Sequence, residues 1–368
     1  MKPRVAIDYC RSYDLREIRE VLERLIANTD FPDVKGKSIL LKPNVLSDVP
    51  AERNITTNPV VVKAVIEILK ERGAGRIICG DSPGMPGPGF RAKVCGIGKV
   101  CDEEGVEWVD FTQNPVERTL AVTGFRVMQT HYIDDVDLVF SLSKMKTHQL
   151  MGATGAVKNM FGTVPGLNKS PMHLRARSPL SFARVILDIY SVHIPEYSIM
   201  DGIISMEGAG PANGTPRQTN LLLASSSALA LDRAEAVIMG YKAKDIPILF
   251  VAERNEKGST EGEYPLLKAE DIIISDYRRV PVKKRGLISA LLLPYITRHS
   301  DRNSTHSRPA PSFDTEKCRR CRKCIDICPA KALTMEDSGV NIKEDKCIRC
   351  YCCHEMCPFD AINVEKNY

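Results

Sequence analysis

The sequence predicts an α/β fold, a largely parallel sheet with helices on its faces, followed by a small cysteine-rich α+β domain at the C-terminus. Three observations carry this. Short β-branched runs alternate with helical segments of roughly 10–15 residues, the pattern of βαβ units. The helices open on residues that cap and close on residues that break. Eight cysteines between Cys318 and Cys357 then fall in two copies of one spacing.

The elements follow in order. Arg4–Ile7 is a short strand, and Asp14 caps a helix that runs through Ala27. Ser38–Leu41 reads as a buried strand ending in Lys42-Pro43-Asn44. Asn58 is the N-cap of the next helix, Pro59 occupies its first turn, and Gly73 stops it after Arg72. Arg76–Cys79 is a strand, about Phe90 to Glu104 a helix, and Val106–Phe111 a strand. Further strands are expected at Leu138–Leu142, Tyr197–Met200 and Leu221–Ala224, then a helix over Ala228–Met239. The expected organisation is an α/β domain over 1–275, a basic, Ser/Pro-rich linker over 276–312 and the cysteine-rich domain over 313–368. Within the linker, Leu287–Thr297 is a short amphipathic piece.

Composition sets the class. The 368 residues suffice for about two domains, and 43% hydrophobic with 26% charged residues is ordinary for a globular protein. MKPRVAIDYC is followed by no long apolar stretch, so no secretory signal is expected. No apolar run approaches the ~20 residues of a membrane-spanning helix. Thirteen cysteines without an export signal argue for metal ligation in a reducing, cytoplasmic setting. From Asp276 to Lys331, fourteen Lys and Arg face five Asp and Glu, a net +9 in a chain of net +5. No aromatic-interleaved motif accompanies that charge, so nucleic acid is not an expected partner.

The cysteines carry the clearest chemistry. Cys318, Cys321, Cys324 and Cys328 form C-x2-C-x2-C-x3-C-P, and Cys347, Cys350, Cys353 and Cys357 repeat it with an offset of 29 residues. This is the ligand run of a bacterial two-cluster ferredoxin. Three closely spaced cysteines wrap one cubane, and the fourth reaches the other. The reading is therefore two 4Fe–4S clusters, one on Cys318, Cys321, Cys324 and Cys357, the other on Cys347, Cys350, Cys353 and Cys328. The alternative is a pair of structural zinc sites, which usually use paired C-x2-C knuckles instead. Cys352 breaks the spacing and is read as a spectator. Cys10, Cys79, Cys95 and Cys101 default to small buried hydrophobes.

In an open α/β sheet, ligands gather at the carboxyl ends of strands. Those ends supply Lys42 and Asn44, then Gly80, Asp81, Ser82 and Gly84, then Lys144, Lys146 and His148, then Asp201 and Glu207. Lys158 and Asn159 lie in GATGAVKNMFGTVPG, with His173 beyond. Lysines and a histidine beside glycine-lined backbone suit an anionic ligand. Asp81, Asp201, Glu207 and Asp232 are acids that would bind a hydroxyl or metal or move protons. Neither a dinucleotide fingerprint nor a P-loop is present.

These blocks resemble the domain-of-unknown-function 362 family. LLKPNV at 40–45, TTNPVVVKAVIEILKERGA at 56–74 and GDSPG at 80–84 match it. So do LVFSLSKMKTHQLMGATGAVKNMFGTVPG at 138–166, DGIISMEGAGP at 201–211 and ALALDRAEAVIMG at 228–240. The resemblance covers roughly residues 1–275 and implies one α/β domain with a pocket near Lys144, Lys146, His148 and Lys158. An appended ferredoxin-like α+β domain is a common partner in that family. The fold is similar in outline to the nickel-dependent lactate racemase family, but function has to be argued from the site.

The leading expectation is an iron–sulfur oxidoreductase. Lys144, Lys146, His148 and Lys158 would hold the anion, and Asp81 or Glu207 would manage protons. Lys42, Asn44, Gly80, Ser82, Gly84, Asn159 and Asp201 would line a cofactor site. A flavin is compatible with these residues and not specified by them. The expected partners are a soluble electron carrier or other redox protein and a small anionic substrate. Two alternatives stay open: a non-catalytic electron carrier or assembly factor, and an acid/base or metal-dependent enzyme with regulatory clusters.

Overall fold

The computed structural model describes residues 2–87, 89–254, 260–281 and 308–364. The amphipathic piece expected at Leu287–Thr297 lies outside them. The first unit comprises β1 (Val5–Tyr9), α1 (Leu15–Ala27), β2 (Ser38–Pro43), α2 (Pro59–Glu71), β3 (Arg76–Gly80), α3 (Ile97–Glu103) and β4 (Glu107–Val109). A small antiparallel pair, β5 (Val116–Thr119) and β6 (Arg126–Gln129), leads into β7 (Leu138–His148) and β8 (Gly152–Ala153). Then come α4 (Gly155–Asn159), α5 (Ser170–Arg175), α6 (Pro179–Tyr190), β9 (Tyr197–Glu207), β10 (Thr215–Ser225), α7 (Ala228–Ile238) and α8 (Pro247–Arg254).

The main sheet has the order β1-β10-β9-β7-β2-β3-β4. The pairs from β9 to β4 are parallel, and β1 and β10 add an antiparallel edge. The pleat sends alternate side chains into two cores. Ile39 and Leu41 enter the core under α1, α2 and α3, whereas Leu40 enters the core under α6, α7 and α8. Phe140 and Leu142 likewise face the first core and Val139 the second.

The expected caps are in place. Asp14 accepts from the Glu17 N–H at 3.0 Å, and Asn58 accepts from the Val60 N–H at 2.9 Å. Two expectations differ. Phe90–Lys93 and its neighbours are irregular, and α3 starts only at Ile97, after Gly96 at φ 86°. The strand expected to end at Leu142 continues to His148, and that expected to end at Met200 continues to Glu207. Charged residues end an apolar run in the sequence, but here they stay in the strand because each finds a polar or charged partner. The α/β unit also extends beyond residue 275: the Tyr277 hydroxyl donates to Met206 O at 2.9 Å, and the Val280 N–H donates to the Tyr241 hydroxyl at 2.8 Å.

The C-terminal unit shows the 29-residue repeat in three dimensions. It contains β11 (Ser312–Phe313), α9 (Lys323–Asp326), β12 (Leu333–Glu336), β13 (Gly339–Ile342), α10 (Cys352–Met356) and β14 (Ile362–Asn363). β11 pairs with β14 and β12 with β13. Arg320, Arg322 and Lys331 adopt positive φ of 53°, 64° and 48°. Their counterparts Arg349, Tyr351 and Asp360 do the same at 51°, 66° and 51°. A side chain held left-handed costs about 1–2 kcal/mol, so six of them in register mark a loop shape imposed by the cysteines it carries.

Candidate functional site

Two cysteine cages and one polar cavity share the C-terminal unit and the strand ends. The first cage brings Cys318, Cys321, Cys324 and Cys357 around one small space. The second brings Cys328, Cys347, Cys350 and Cys353 around another. The Ala332 N–H donates to Cys328 Sγ at 3.3 Å, and the Ala361 N–H to Cys357 Sγ at 3.4 Å. Burial, then Cys321, Cys357 and Cys318, push the Cys324 thiol up to about 11, so these four thiols share one space. The quartets fit a cubane. Four soft thiolates surround a volume rather than a point, and backbone donors face the sulfurs. Among the described residues no three His, Cys, Asp or Glu side chains converge on a single metal position, as tetrahedral zinc with sulfur at ~2.3 Å would need.

The cavity lies where the C-terminal unit covers the carboxyl ends of β2 and β3. From β2 and its loop come Lys42, Asn44 and Leu46, and from the loop after β3 come Asp81, Ser82 and Gly84. His148 ends β7, Lys158 and Asn159 ride on α4, and Lys169, Ser170 and His173 come from the start of α5 and the turn before it. Ile327, Cys352, Glu355 and Met356 of the C-terminal unit form the roof.

Internal bonds orient this wall. Lys42 Nζ lies 2.7 Å from Asp81 Oδ1 and donates to Asn159 Oδ1 at 2.9 Å. Burial pushes the Lys42 ammonium down, and Asp81 opposes this. Asp81 also accepts the Val45 and Ser82 N–H groups at 2.6 and 2.8 Å, which fixes two loops around one carboxylate. Asn44 Nδ2 donates to Asn159 Oδ1 at 3.1 Å, leaving Asn44 Oδ1 without a donor among the described residues. Behind α4, Asp232 accepts the Ala156 and Val157 N–H groups. Burial pushes the Asp232 carboxyl up to about 7, against those two donors. A Cβ at Gly155, where φ is 66°, would sit 2.4 Å from that carboxyl. Asp232 is therefore the anchor that aims Lys158 and Asn159 forward.

His148 has a defined tautomer. Its Nδ1 accepts the Leu150 N–H at 3.1 Å and the Met151 N–H at 3.4 Å, so the ring proton resides on Nε2. Nε2 stands 3.1 Å from Glu355 Oε1, yet the approach is oblique and both atoms lack an aligned hydrogen bond. Burial and then Lys158 push His148 down to about 4, so it is neutral near pH 7. Burial raises the Glu355 carboxyl, but His148 and Lys158 outweigh it and hold it well below the usual range. Burial also brings His173 down to about 3, and its Nδ1 has no partner. Lys158, half-buried, makes no hydrogen bond among the described residues.

The structure sorts the residues that sequence reasoning put forward. His148, Lys158, Asp81, Lys42, Asn44, Ser82, Gly84 and Asn159 meet in the cavity. Lys144 does not: its Nζ lies 2.8 Å from Asp201 Oδ2 with both side chains fully buried, a pair inside the sheet end. Asp201 is consumed there, also accepting from the Tyr13 hydroxyl at 3.0 Å and the Asn58 N–H at 3.0 Å. Lys146 lies beneath the cavity and donates to Ile55 O at 2.7 Å. Glu207 faces away, bridged to Arg217 at 3.1 Å and Arg278 at 2.7 Å. Gly80 is packed against Phe111 and Val109 behind the loop. Lys169, Glu355 and Cys352 were missed as site residues. Glu355 and Cys352 sit in a domain read only for its ligands, and nothing local signals that α10 reaches the sheet. Cys352 is buried and, among the described residues, is the one shared by the walls of the cavity and the second cage.

Residues 39–236 match the model of the domain of unknown function DUF362, and residues 310–358 match that of a 4Fe-4S dicluster domain. The chain is similar to the thylakoid-associated protein sll1697 of Synechocystis, 31% identical over 268 residues, 72% of this chain and 82% of that one. Among solved structures it resembles the lactate racemase apoprotein of Thermoanaerobacterium thermosaccharolyticum at a TM-score of 0.43 and 11% identity, over 65% of this chain and 57% of that one. A structural-genomics protein of Thermotoga maritima gives a TM-score of 0.37 and 16% identity, over 55% and 53%. Both likenesses are too distant to carry an argument. No helix among the described residues is long and apolar enough to cross a membrane. By the extent of the model match and the coverage of its Synechocystis relative, the protein belongs to the DUF362 family and carries a 4Fe-4S dicluster domain at its C-terminal end.

Proposed function

We propose that the protein is an iron–sulfur oxidoreductase in which two 4Fe–4S clusters exchange electrons with a small anionic substrate or cofactor in the cavity beneath α10. Cys318, Cys321, Cys324 and Cys357 would hold one cluster, and Cys347, Cys350, Cys353 and Cys328 the other. The shared wall carries this reading: Cys352 lines the second cage and the polar cavity at once. A ligand in the cavity would thus lie one side chain from that cage. Bound in the cages, the clusters supply one-electron transfer.

The chain's own groups do the rest. Lys158 offers an ammonium that makes no hydrogen bond among the described residues, and His148 holds Glu355 beside it at 3.1 Å. The Lys42–Asp81 pair and the Asp232 anchor hold these groups in place before a ligand arrives. At the far side, the first cage is ringed by exposed Arg319, Arg320, Arg322 and Lys323, with Cys321 also exposed and Phe359 42% exposed. A basic rim around an apolar tip suits an acidic redox partner such as a soluble electron carrier. The outer cage would face that partner and the inner one the ligand.

Anaerobic purification tests the reading. Iron and sulfide near about eight each per chain, and absorbance bleached by dithionite, are expected. The reduced protein should be reoxidised by a protein-free cell extract, and Lys158→Gln should lose that response while keeping its iron. Equal reoxidation of both proteins would overturn the assignment. The exposed basic rim favours a second reading, a carrier that serves protein partners alone. Reoxidation by a partner protein and never by small molecules would select it.

A further inference from the structure

The cavity limits what it can hold. The space that the centre of a water molecule can occupy is about 90 Å³, which at roughly 10–15 Å³ per water is about six to nine waters. Its wall carries Lys42, Lys158 and Lys169 against Asp81 and Glu355. Lys42 is consumed by Asp81 at 2.7 Å, and Lys169 donates to Ser82 O at 2.6 Å. Lys158 remains the ammonium without a hydrogen-bond acceptor among the described residues. Two further atoms of lining residues, His173 Nδ1 and Asn44 Oδ1, are buried and lack a hydrogen-bond partner among the described residues, while His148 Nε2 and Glu355 Oε1 face each other at 3.1 Å. Unsatisfied buried groups of this kind are rare, and two around one cavity mark the outline of something that satisfies them.

We infer that the cavity takes a compact anion of up to about nine non-hydrogen atoms, a short-chain carboxylate or a small oxyanion, with its charge on Lys158 and its body against Asn44 and His173. This rests on the proposed function and narrows it: a compact anion lies wholly within the space, whereas the three-ring system of a flavin or a nucleotide would have to extend out of it. The anion lies against Cys352, which separates it from the second cage. Glu355 sets a further limit. Its carboxylate already occupies the roof beside His148, so an anion that extends toward α10 meets like charge, and a short one does not.

The test uses the anaerobically purified full-length holoprotein and isothermal calorimetry, with parallel electron paramagnetic resonance of the reduced protein. Oxalate, malonate, succinate and glutarate span the size range, inorganic phosphate represents the oxyanions, and suberate and FMN would have to extend out of the cavity. The expected result is saturable binding of at least one compact probe, weakened about tenfold or more in Lys158→Gln, with Trp108 fluorescence and iron content unchanged. Tightest binding of phosphate would identify the oxyanion source, and tightest binding of a dicarboxylate the carboxylate source. If Lys158→Gln does not fold, Lys158→Met carries the same comparison. Binding of suberate or FMN as tight as the best compact probe would overturn the inference, as would no binding by any compact probe. The resonance signal separates the two levels. A compact anion that binds without altering it leaves this inference standing and removes the redox reading. FMN that binds and alters it does the reverse.

Discussion

Replacing Lys144 with methionine distinguishes a fold-holding ion pair from the cavity a few residues away. Lys144 Nζ lies 2.8 Å from Asp201 and 2.8 Å from the Tyr13 hydroxyl, and both charged side chains are fully buried. Methionine keeps most of the stem and removes the charge, leaving a buried carboxylate without its counterion. Breaking such a pair from one side costs about 3–5 kcal/mol. Asp201 keeps the Tyr13 hydroxyl and the Asn58 and Ile203 N–H groups at 3.0, 3.0 and 3.2 Å. Those donors put the expected loss at the lower bound, about 3 kcal/mol. At about 2–4 °C per kcal/mol, Tm should fall by about 6–12 °C. Trp108, the chain's one tryptophan, lies in β4 and reports this unit by fluorescence. Iron content and anion binding of the folded variant should match wild type. A Lys144→Met protein that melts with wild type but no longer binds anions would refute the reasoning.

The remaining predictions concern the cavity and the cages. Lys169 is pushed down to about 7, chiefly by burial, with Asp81 opposing and Lys42 and Lys158 adding to it. Anion affinity should be full below pH 7 and fall as pH rises through it, by up to about tenfold per unit, and Lys169→Met should flatten that profile in calorimetry. The stability term runs the other way. A lysine that binds fewer protons folded than unfolded adds stability as pH rises from about 7 toward 10.5. Gly162→Ala would place a Cβ 2.2 Å from Asp81 Oδ1 and 2.6 Å from Lys42 Nζ. It should cost about 1–3 kcal/mol by overpacking and abolish anion binding, and calorimetric binding equal to wild type would contradict the site. Cys352→Ala should retain full iron content, whereas Cys353→Ala should lose about half, as measured by iron and sulfide analysis.

Much of this was legible in the sequence, for definable reasons. Caps such as Asp14 and Asn58 act on their own next turn, so local sequence is enough to find them. The cysteine cages are encoded by spacing within a few residues, and the 29-residue offset shows which cysteine crosses over. Lys42, Asp81, His148 and Lys158 were found because parallel strands deliver their ends to one edge. What local sequence could not show is where a side chain points after the strand ends. Lys144 and Lys146 alternate with Met145 along β7, and only the tertiary partner separates an ion pair from a cavity wall. Glu355 lies two residues from Cys353 in a domain whose local pattern is wholly explained by its cages. Its approach to His148 depends on how two units pack, and no periodicity records that.

The central claim is that the second cage and the polar cavity form one site. Its most direct test is the pair of cluster reduction potentials in wild type and Lys158→Gln, measured by anaerobic titration with paramagnetic resonance detection. Lys158 lines the cavity that Cys352 separates from that cage, and a neighbouring positive charge favours the reduced, more negative cluster. The account predicts that removing this charge lowers one potential and leaves the other where it was. Two unchanged potentials would contradict it.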